Sequence, residues 1–131
     1  MALDWSIDHG KRRVVATLRR STTEEDIYHF LGEVIAEGAM PYGKIFDVSE
    51  ATKWIAPNRV GPLAATARLY ARMGLGEVGP LAIVVSGEKG KARAREFARL
   101  GDANRVVRIF STPREAQAWL NEDPPAPAHR Q

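Results

Sequence analysis

The clearest strand signal in the sequence is PLAIVV, residues 80–85. A short apolar run of this kind, rich in β-branched residues, is typical of a strand that is covered on both faces. Similar signals occur at 44–48 and 105–110, with helical patterns between them. Because parallel strands need crossover connections, strands that alternate with helices predict a parallel sheet.

A β-hairpin is predicted ahead of these strands. Polar and apolar residues alternate over residues 3–9, and residues 12–20 have a β-branched centre flanked by arginines. The turn between them contains His9 and Gly10, and Gly10 is able to take a positive φ angle there.

Four helices are predicted from apolar residues at helical spacing. The first ends at Gly38, since glycine is the usual residue just beyond a helix end. Its start has two candidate capping boxes, Ser21 with Glu24 and Thr22 with Glu25. The other helices are expected at 60–74, at 88–101 and after Thr112-Pro113, where Glu115 completes a capping box.

The order of elements is β-β-α-β-α-β-α-β-α, which predicts an α/β fold with a small mixed sheet of five strands. The hairpin supplies an antiparallel edge strand. We expect one domain over residues 1–122, because 44% of the 131 residues are apolar and can build a core. Residues 123–131, DPPAPAHRQ, form a proline-rich tail without core-forming content.

Composition argues against several classes of site. The chain has no cysteine, which rules out disulfides and thiolate chemistry and suits the reducing cytoplasm where we expect the protein. No apolar stretch approaches the ~20 residues of a membrane span, and the net charge of +3 is too small to argue for nucleic acid. His9, His29 and His129 form no ligand spacing and no catalytic triad, which argues against a Ser-His-Asp hydrolase, and we expect no metal and no cofactor.

Loops with hydroxyl groups follow the predicted strands, at the end where parallel α/β sheets bind ligands. The candidate binding residues there are Asp47, Ser49, Ser86, Lys89 and Lys91. Free N–H groups and a partial positive charge at a helix start favour an anion. The alternative is that the hydroxyls only cap helices, since serine and threonine are preferred caps.

The segment SGEKGKA, residues 86–92, superficially resembles a phosphate-binding loop. A Walker A motif needs a glycine where Val85 stands and a hydroxyl where Ala92 stands, so the motif fails twice. This argues against NTP hydrolysis and leaves weak anion binding open. The helix that follows carries a stripe of cations, which is either a solvated face or a contact for an anionic partner: Lys91, Arg95 and Arg99.

The segment KIFDVSEATKW, residues 44–54, contains two further candidates. Asp47 could be the nucleophile of a hydrolase, although no second carboxylate except Glu50 follows at short spacing. Asp47 and Ser49 are equally suited to bind nearby backbone and end the strand. Trp54 is either part of a lid over the core or an exposed contact for a partner.

Three segments resemble the SpoIIAA-like proteins, relatives of STAS domains that are described together with CRAL-TRIO-type lipid-binding folds. They are GKIFDVSEA, PLAIVVSGEKGKARAREFARL and VRIFSTPREAQAWL. The first resembles the family's strand of lysine, two apolar residues, aspartate, an apolar residue and serine. The second resembles its fourth strand and following helix, and the third its closing signature. With the hairpin and the capped helix, the resemblance covers residues 3–122.

This resemblance implies a bacterial, non-enzymatic α/β module that binds a partner protein. Some members are switched by phosphorylation of a serine at the start of the helix after the third strand. The matching segment here, residues 54–59, has no serine or threonine. The phosphorylation switch therefore does not carry over to this chain.

We accordingly expect a binding or regulatory module that contacts a protein partner, or a second copy of the chain, through residues 49–59 with Trp54. An alternative is a small anionic or lipid-like ligand in the crevice at the carboxyl ends of the strands. A hydrolase that uses Asp47 is the third possibility.

Overall fold

The computed structural model describes residues 3–50, 65, 69, 72, 79–100 and 106–122, and its centre is a five-stranded sheet. The strands are β1 (Leu3–Asp8), β2 (Arg13–Leu18), β3 (Gly43–Asp47), β4 (Leu81–Val84) and β5 (Val107–Phe110). They lie in chain order, with β1 antiparallel to β2 and every later pair parallel. The helices with described bounds are α1 (Glu24–Ala36), α2 (Gly87–Leu100) and α3 (Pro113–Asn121). The predicted α/β class and mixed five-stranded sheet are confirmed.

The sheet is covered by helices on both faces. Successive residues of β4 enter two different apolar clusters, Ile83 on one face and Val84 on the other. The first cluster takes side chains from α1 and α2: Ile27, Phe30, Val34, Ala94 and Phe97. The second takes side chains from α3: Ala116, Trp119 and Leu120. All of β4 is buried, as the segment PLAIVV predicted.

The hairpin turn differs from its prediction. Arg12, rather than Gly10, has the positive φ angle, at 53°. The turn spans the four residues between Asp8 and Arg13, and the Lys11 N–H donates to Asp8 Oδ1 at 2.9 Å. The residue with the left-handed conformation therefore lies immediately before β2. The Arg12 guanidinium lies 4.8 Å from the Tyr42 ring centroid, a cation–π contact that offsets part of the ~1–2 kcal/mol cost of this conformation.

Helix α1 begins one residue later than the capping box at Thr22 predicts and two residues later than the one at Ser21. Thr23 is the N-cap: its Oγ1 accepts the Asp26 N–H at 3.1 Å, and Asp26 Oδ2 accepts the Thr23 N–H at 3.0 Å. Thr22 is used by the preceding turn, since its Oγ1 accepts the Arg19 N–H at 2.9 Å. The chain must complete this turn out of β2 before the helix can start, which shifts the cap. Gly38 ends the helix with a φ of 70°, as predicted.

Several predictions lie outside the described residues. These are the loop with Trp54, most of the helix predicted at 60–74 and the tail at 123–131. Within the predicted helix, Ala65, Leu69 and Arg72 are helical and exposed. Across the ranges that the structure does describe, no helix combines the length and the apolar content needed to cross a bilayer.

Candidate functional site

Asp47, Ser49 and Ser86 meet at the carboxyl ends of β3 and β4, and we call them the carboxyl-end group. Asp47 Oδ1 accepts the Ser49 backbone N–H at 3.0 Å and the Ser49 hydroxyl at 2.6 Å. The Ser86 hydroxyl donates to the Ser49 carbonyl at 3.0 Å. The parallel register of β3 with β4 places Asp47 opposite Val84, two residues before Ser86. Three of the predicted site residues thus form one hydrogen-bonded group with Ser49 at its centre.

The carboxyl-end group fixes the backbone where the chain leaves the sheet. An aspartate that binds the N–H two residues further on forms an Asx turn, which ends a strand without a glycine. Asp47 is half-buried, and both Ser49 donors use the same carboxylate oxygen. These are the contacts that the strand-ending interpretation of Asp47 and Ser49 predicts.

Arg19 holds the residue that follows this group. Its Nη1 donates to Glu50 Oε1 at 2.9 Å, and its Nη2 donates to Asp4 Oδ2 at 3.0 Å. The hydrogen bond with Asp4, together with the charge of Glu50, raises the pKa of the Arg19 guanidinium. The start of the loop after β3 is therefore tied to β1 and to the end of β2.

Helix α2 starts immediately beside the carboxyl-end group. Gly87 has a φ of 76°, a left-handed conformation that glycine takes without a steric cost. This lets the chain turn from β4 into the helix directly after Ser86. Lys89 and Lys91 then lie in the first two turns, with Lys89 exposed and Lys91 half-buried.

The predicted cationic stripe on α2 is partly neutralised by carboxylates on the same helix. Lys91 Nζ lies 3.8 Å from Glu88 Oε2, and Arg99 Nη2 lies 2.6 Å from Glu96 Oε2. Lys89 forms no ion pair with any residue in the described part of the chain. Lys89 thus carries an exposed positive charge in the first turn of α2, next to Ser86.

The hydroxyl of Thr112 acts as a helix cap. Thr112 Oγ1 accepts the Glu115 N–H at 3.2 Å and lies 3.2 Å from Glu115 Oε1. The second half of the predicted capping box, in which Glu115 would return to the Thr112 backbone N–H, is replaced by this contact between side chains. The capping alternative therefore accounts for Thr112, whereas Thr22 closes a turn and does not cap a helix.

An open cleft of about 580 Å³ lies at the opposite end of the sheet, and sequence reasoning missed it. We call it the amino-end cleft, and its lining residues are Lys11, Arg13, Gln117, Leu120 and Asn121. Arg13 opens β2 and reaches α3, where Nη1 donates to Gln117 Oε1 at 2.5 Å and Nη2 to Asn121 Oδ1 at 3.1 Å. None of the predicted site residues that the structure describes lines this cleft.

Gly43 lies against two of the side chains that line the amino-end cleft, Leu120 and Arg13. It pairs with Arg13 in the register between β2 and β3. A Cβ atom at Gly43 would lie 3.2 Å from Leu120 Cδ2 and 3.7 Å from Arg13 Nε. The missing side chain thus lets Leu120 and the guanidinium of Arg13 pack directly onto the strand.

Two polar side chains near the amino ends of the strands have structural partners. Lys44 is only 6% exposed, and its Nζ donates to the carbonyl of Met40 at 2.5 Å and to that of Tyr42 at 3.0 Å. His9 lies between the Tyr42 hydroxyl, 2.6 Å from Nδ1, and Glu37 Oε1, 2.9 Å from Nε2. Among the described residues, no three histidine, aspartate or glutamate side chains are grouped as a metal site would require.

Comparison of the chain with models of protein families, with curated proteins and with solved structures finds no match. The resemblance to SpoIIAA-like proteins therefore stays a prediction that rests on three sequence segments.

Proposed function

We propose that the chain is a non-enzymatic binding module that docks a partner protein on the carboxyl end of its sheet. The docking surface consists of Ser49, Glu50, Ser86, Lys89 and Lys91, and in the sequence it leads on to Trp54. The observation that supports this is the carboxyl-end group, in which polar side chains hold the backbone in one conformation. A loop that is ordered before binding reduces the entropy lost on association.

The charge of this surface favours an acidic partner. Lys89 is exposed and lies in the first turn of α2, where the helix dipole adds partial positive charge. Glu50 is already engaged by Arg19, at 2.9 Å, so its charge is partly offset. Complementary charge of this kind mainly sets the rate and selectivity of association.

The proposal is tested in two steps. Affinity capture with the full chain first identifies the partner, and light scattering after gel filtration shows whether a second copy of the chain is that partner. Titration calorimetry then compares the wild type with Lys89→Gln and Trp54→Ala. We expect either change to weaken binding by about threefold to tenfold, the effect of a loss of ~1 kcal/mol.

Arg99→Gln is the matched control, because it removes one charge from the same helix about 15 Å further along its axis. We expect wild-type binding from this variant. If Lys89→Gln and the wild type bind the partner with equal affinity, the partner does not dock on this surface and the proposal is wrong. Turnover of a phosphate or ester substrate that Asp47→Asn abolishes would replace the binding module with the hydrolase alternative.

A further inference from the structure

We propose that the amino-end cleft is a binding site for a small oxyanion, a phosphate or carboxylate group that Lys11 and Arg13 recognise. This site lies at the opposite end of the sheet from the docking surface and does not depend on it. Its volume of about 580 Å³ falls within the range of small-molecule sites. The lining is mostly polar, with only Leu120 apolar, which suits a compact charged ligand rather than a lipid chain.

The charge of the lining is positive. It contains two cations and two neutral amides, and no carboxylate. Asp8 is nearby, but its Oδ1 accepts the backbone N–H of Lys11 at 2.9 Å. Within the described part of the chain, neither the Lys11 ammonium nor the Arg13 guanidinium forms an ion pair. Both positive charges are therefore available to an anion.

Arg13 is held in place without being neutralised. Gln117 and Asn121 lie one helical turn apart on α3, and their amide oxygens accept from the two terminal nitrogens of Arg13. A carboxylate in the same positions would cancel the charge, whereas an amide fixes the guanidinium and leaves its charge intact. With the oxygens directed at Arg13, the amide nitrogens keep donors that can serve a ligand. This is the arrangement of a preorganised anion site.

Arg13 also keeps an unused donor. Its Nε is buried and has no hydrogen-bond partner among the residues that the structure describes. Nε and Nη2 lie along one edge of a guanidinium and match the two oxygens of a carboxylate or phosphate. Asn121, which now occupies Nη2, is exposed at the rim of the cleft. Rotation of the Asn121 side chain would free Nη2 for one oxygen of an oxyanion.

A purely structural role for these cations is the competing explanation. The carboxyl end of α3 lies at the cleft, and cations stabilise the partial negative charge of a helix end. On that explanation, Arg13 anchors α3 and the cleft binds nothing. Lys11 separates the two explanations, because it lines the cleft but its side chain anchors no described residue.

The test is a titration of the full chain, followed by ¹H–¹⁵N NMR at low and constant ionic strength. Inorganic phosphate and succinate are the two probes, and they distinguish a phosphate site from a carboxylate site. We expect saturable shifts of the amides at 11–13 and 117–122 with at least one probe. Lys11→Gln should weaken that binding by about tenfold, the worth of one charge-assisted hydrogen bond, with unchanged thermal stability.

Arg20→Gln is the matched control, since it removes the same charge from an exposed residue beyond the other end of β2. We expect Arg20→Gln to bind the probe with wild-type affinity. Arg13→Lys keeps the charge but loses the two-pronged donor, and should weaken binding more than Lys11→Gln does. Equal affinity of Lys11→Gln and Arg20→Gln, shifts confined to 47–49 and 86–91, or no saturable shift with either probe would each overturn the proposal.

Discussion

Gly79 lies where two backbone segments approach each other beside the sheet. Its N–H donates to the Met40 carbonyl at 2.8 Å, the same carbonyl that receives the Lys44 ammonium. A Cβ atom at Gly79 would lie 2.2 Å from the Tyr42 carbonyl oxygen and 2.3 Å from that of Pro41. Both atoms belong to the backbone, so no side-chain rotation can relieve the contact.

We therefore expect Gly79→Ala to lower the free energy of unfolding by about 3 kcal/mol, the upper range for overpacking. Urea denaturation followed by circular dichroism measures it. Gly32→Ala is the control, because a Cβ there meets nothing within 4 Å and the residue lies inside α1. The same substitution should stabilise that helix by about 1 kcal/mol. An unchanged midpoint for Gly79→Ala would contradict the close backbone approach.

At the scale of elements, the start of α1 shows that a capping pattern in the sequence does not by itself locate the N-cap of a helix. Ser21 and Thr22 each precede a glutamate by three positions and are the two capping boxes that the sequence predicts, whereas Thr23 precedes an aspartate, Asp26. The turn out of β2 decides between them, because it uses Thr22 to accept the Arg19 N–H. Only Thr23 then has both reciprocal bonds of the box.

Thr23→Ala is expected to destabilise the protein by about 1 kcal/mol, the usual cost of losing an N-cap. Ser21→Ala, at the exposed position that the sequence alone favours equally, should change the unfolding free energy by less than about 0.5 kcal/mol. Thermal and urea unfolding of both variants decide the matter. A larger loss from Ser21→Ala than from Thr23→Ala would place the cap where the sequence first suggested.

At the scale of the whole molecule, stability should be greatest at the centre of the sheet. The residues of β4 are buried on both faces, whereas β1 is an edge strand whose outward residues are exposed. We expect amide hydrogen exchange to be slowest in the peptide 81–84 and faster in the peptide 3–8, because opening β4 requires global unfolding. Mass spectrometry after timed exchange measures both. Equal protection of the two peptides would mean that the sheet opens as one unit.

Much of this fold can be predicted from local patterns in the sequence, but the amino-end cleft cannot. Apolar runs and helical spacing identify β4 and α3, because burial imposes those periods directly on the sequence. Asp47 and Ser49 are also found locally, since an Asx turn joins residues two positions apart. The contact of Arg13 with Gln117 joins residues 104 positions apart. No periodic pattern in the sequence indicates such a contact. In the sequence, Arg13 is an ordinary cation at a strand end and Gln117 an ordinary polar residue of a helix.

The order of the strands has a consequence for how the chain assembles. Each strand pairs with the one that precedes it in the chain, from β1 through β5. As the chain leaves the ribosome, every new strand after the first meets a neighbour that has already been made, so the sheet can grow in one direction during synthesis. The contact of α3 with Arg13 can form last, because α3 is synthesised after all five strands. Nascent chains that stop short of α3 lack the amino-end cleft, and they also lack the helix that covers Ile45, Ala82 and Val84 on one face of the sheet.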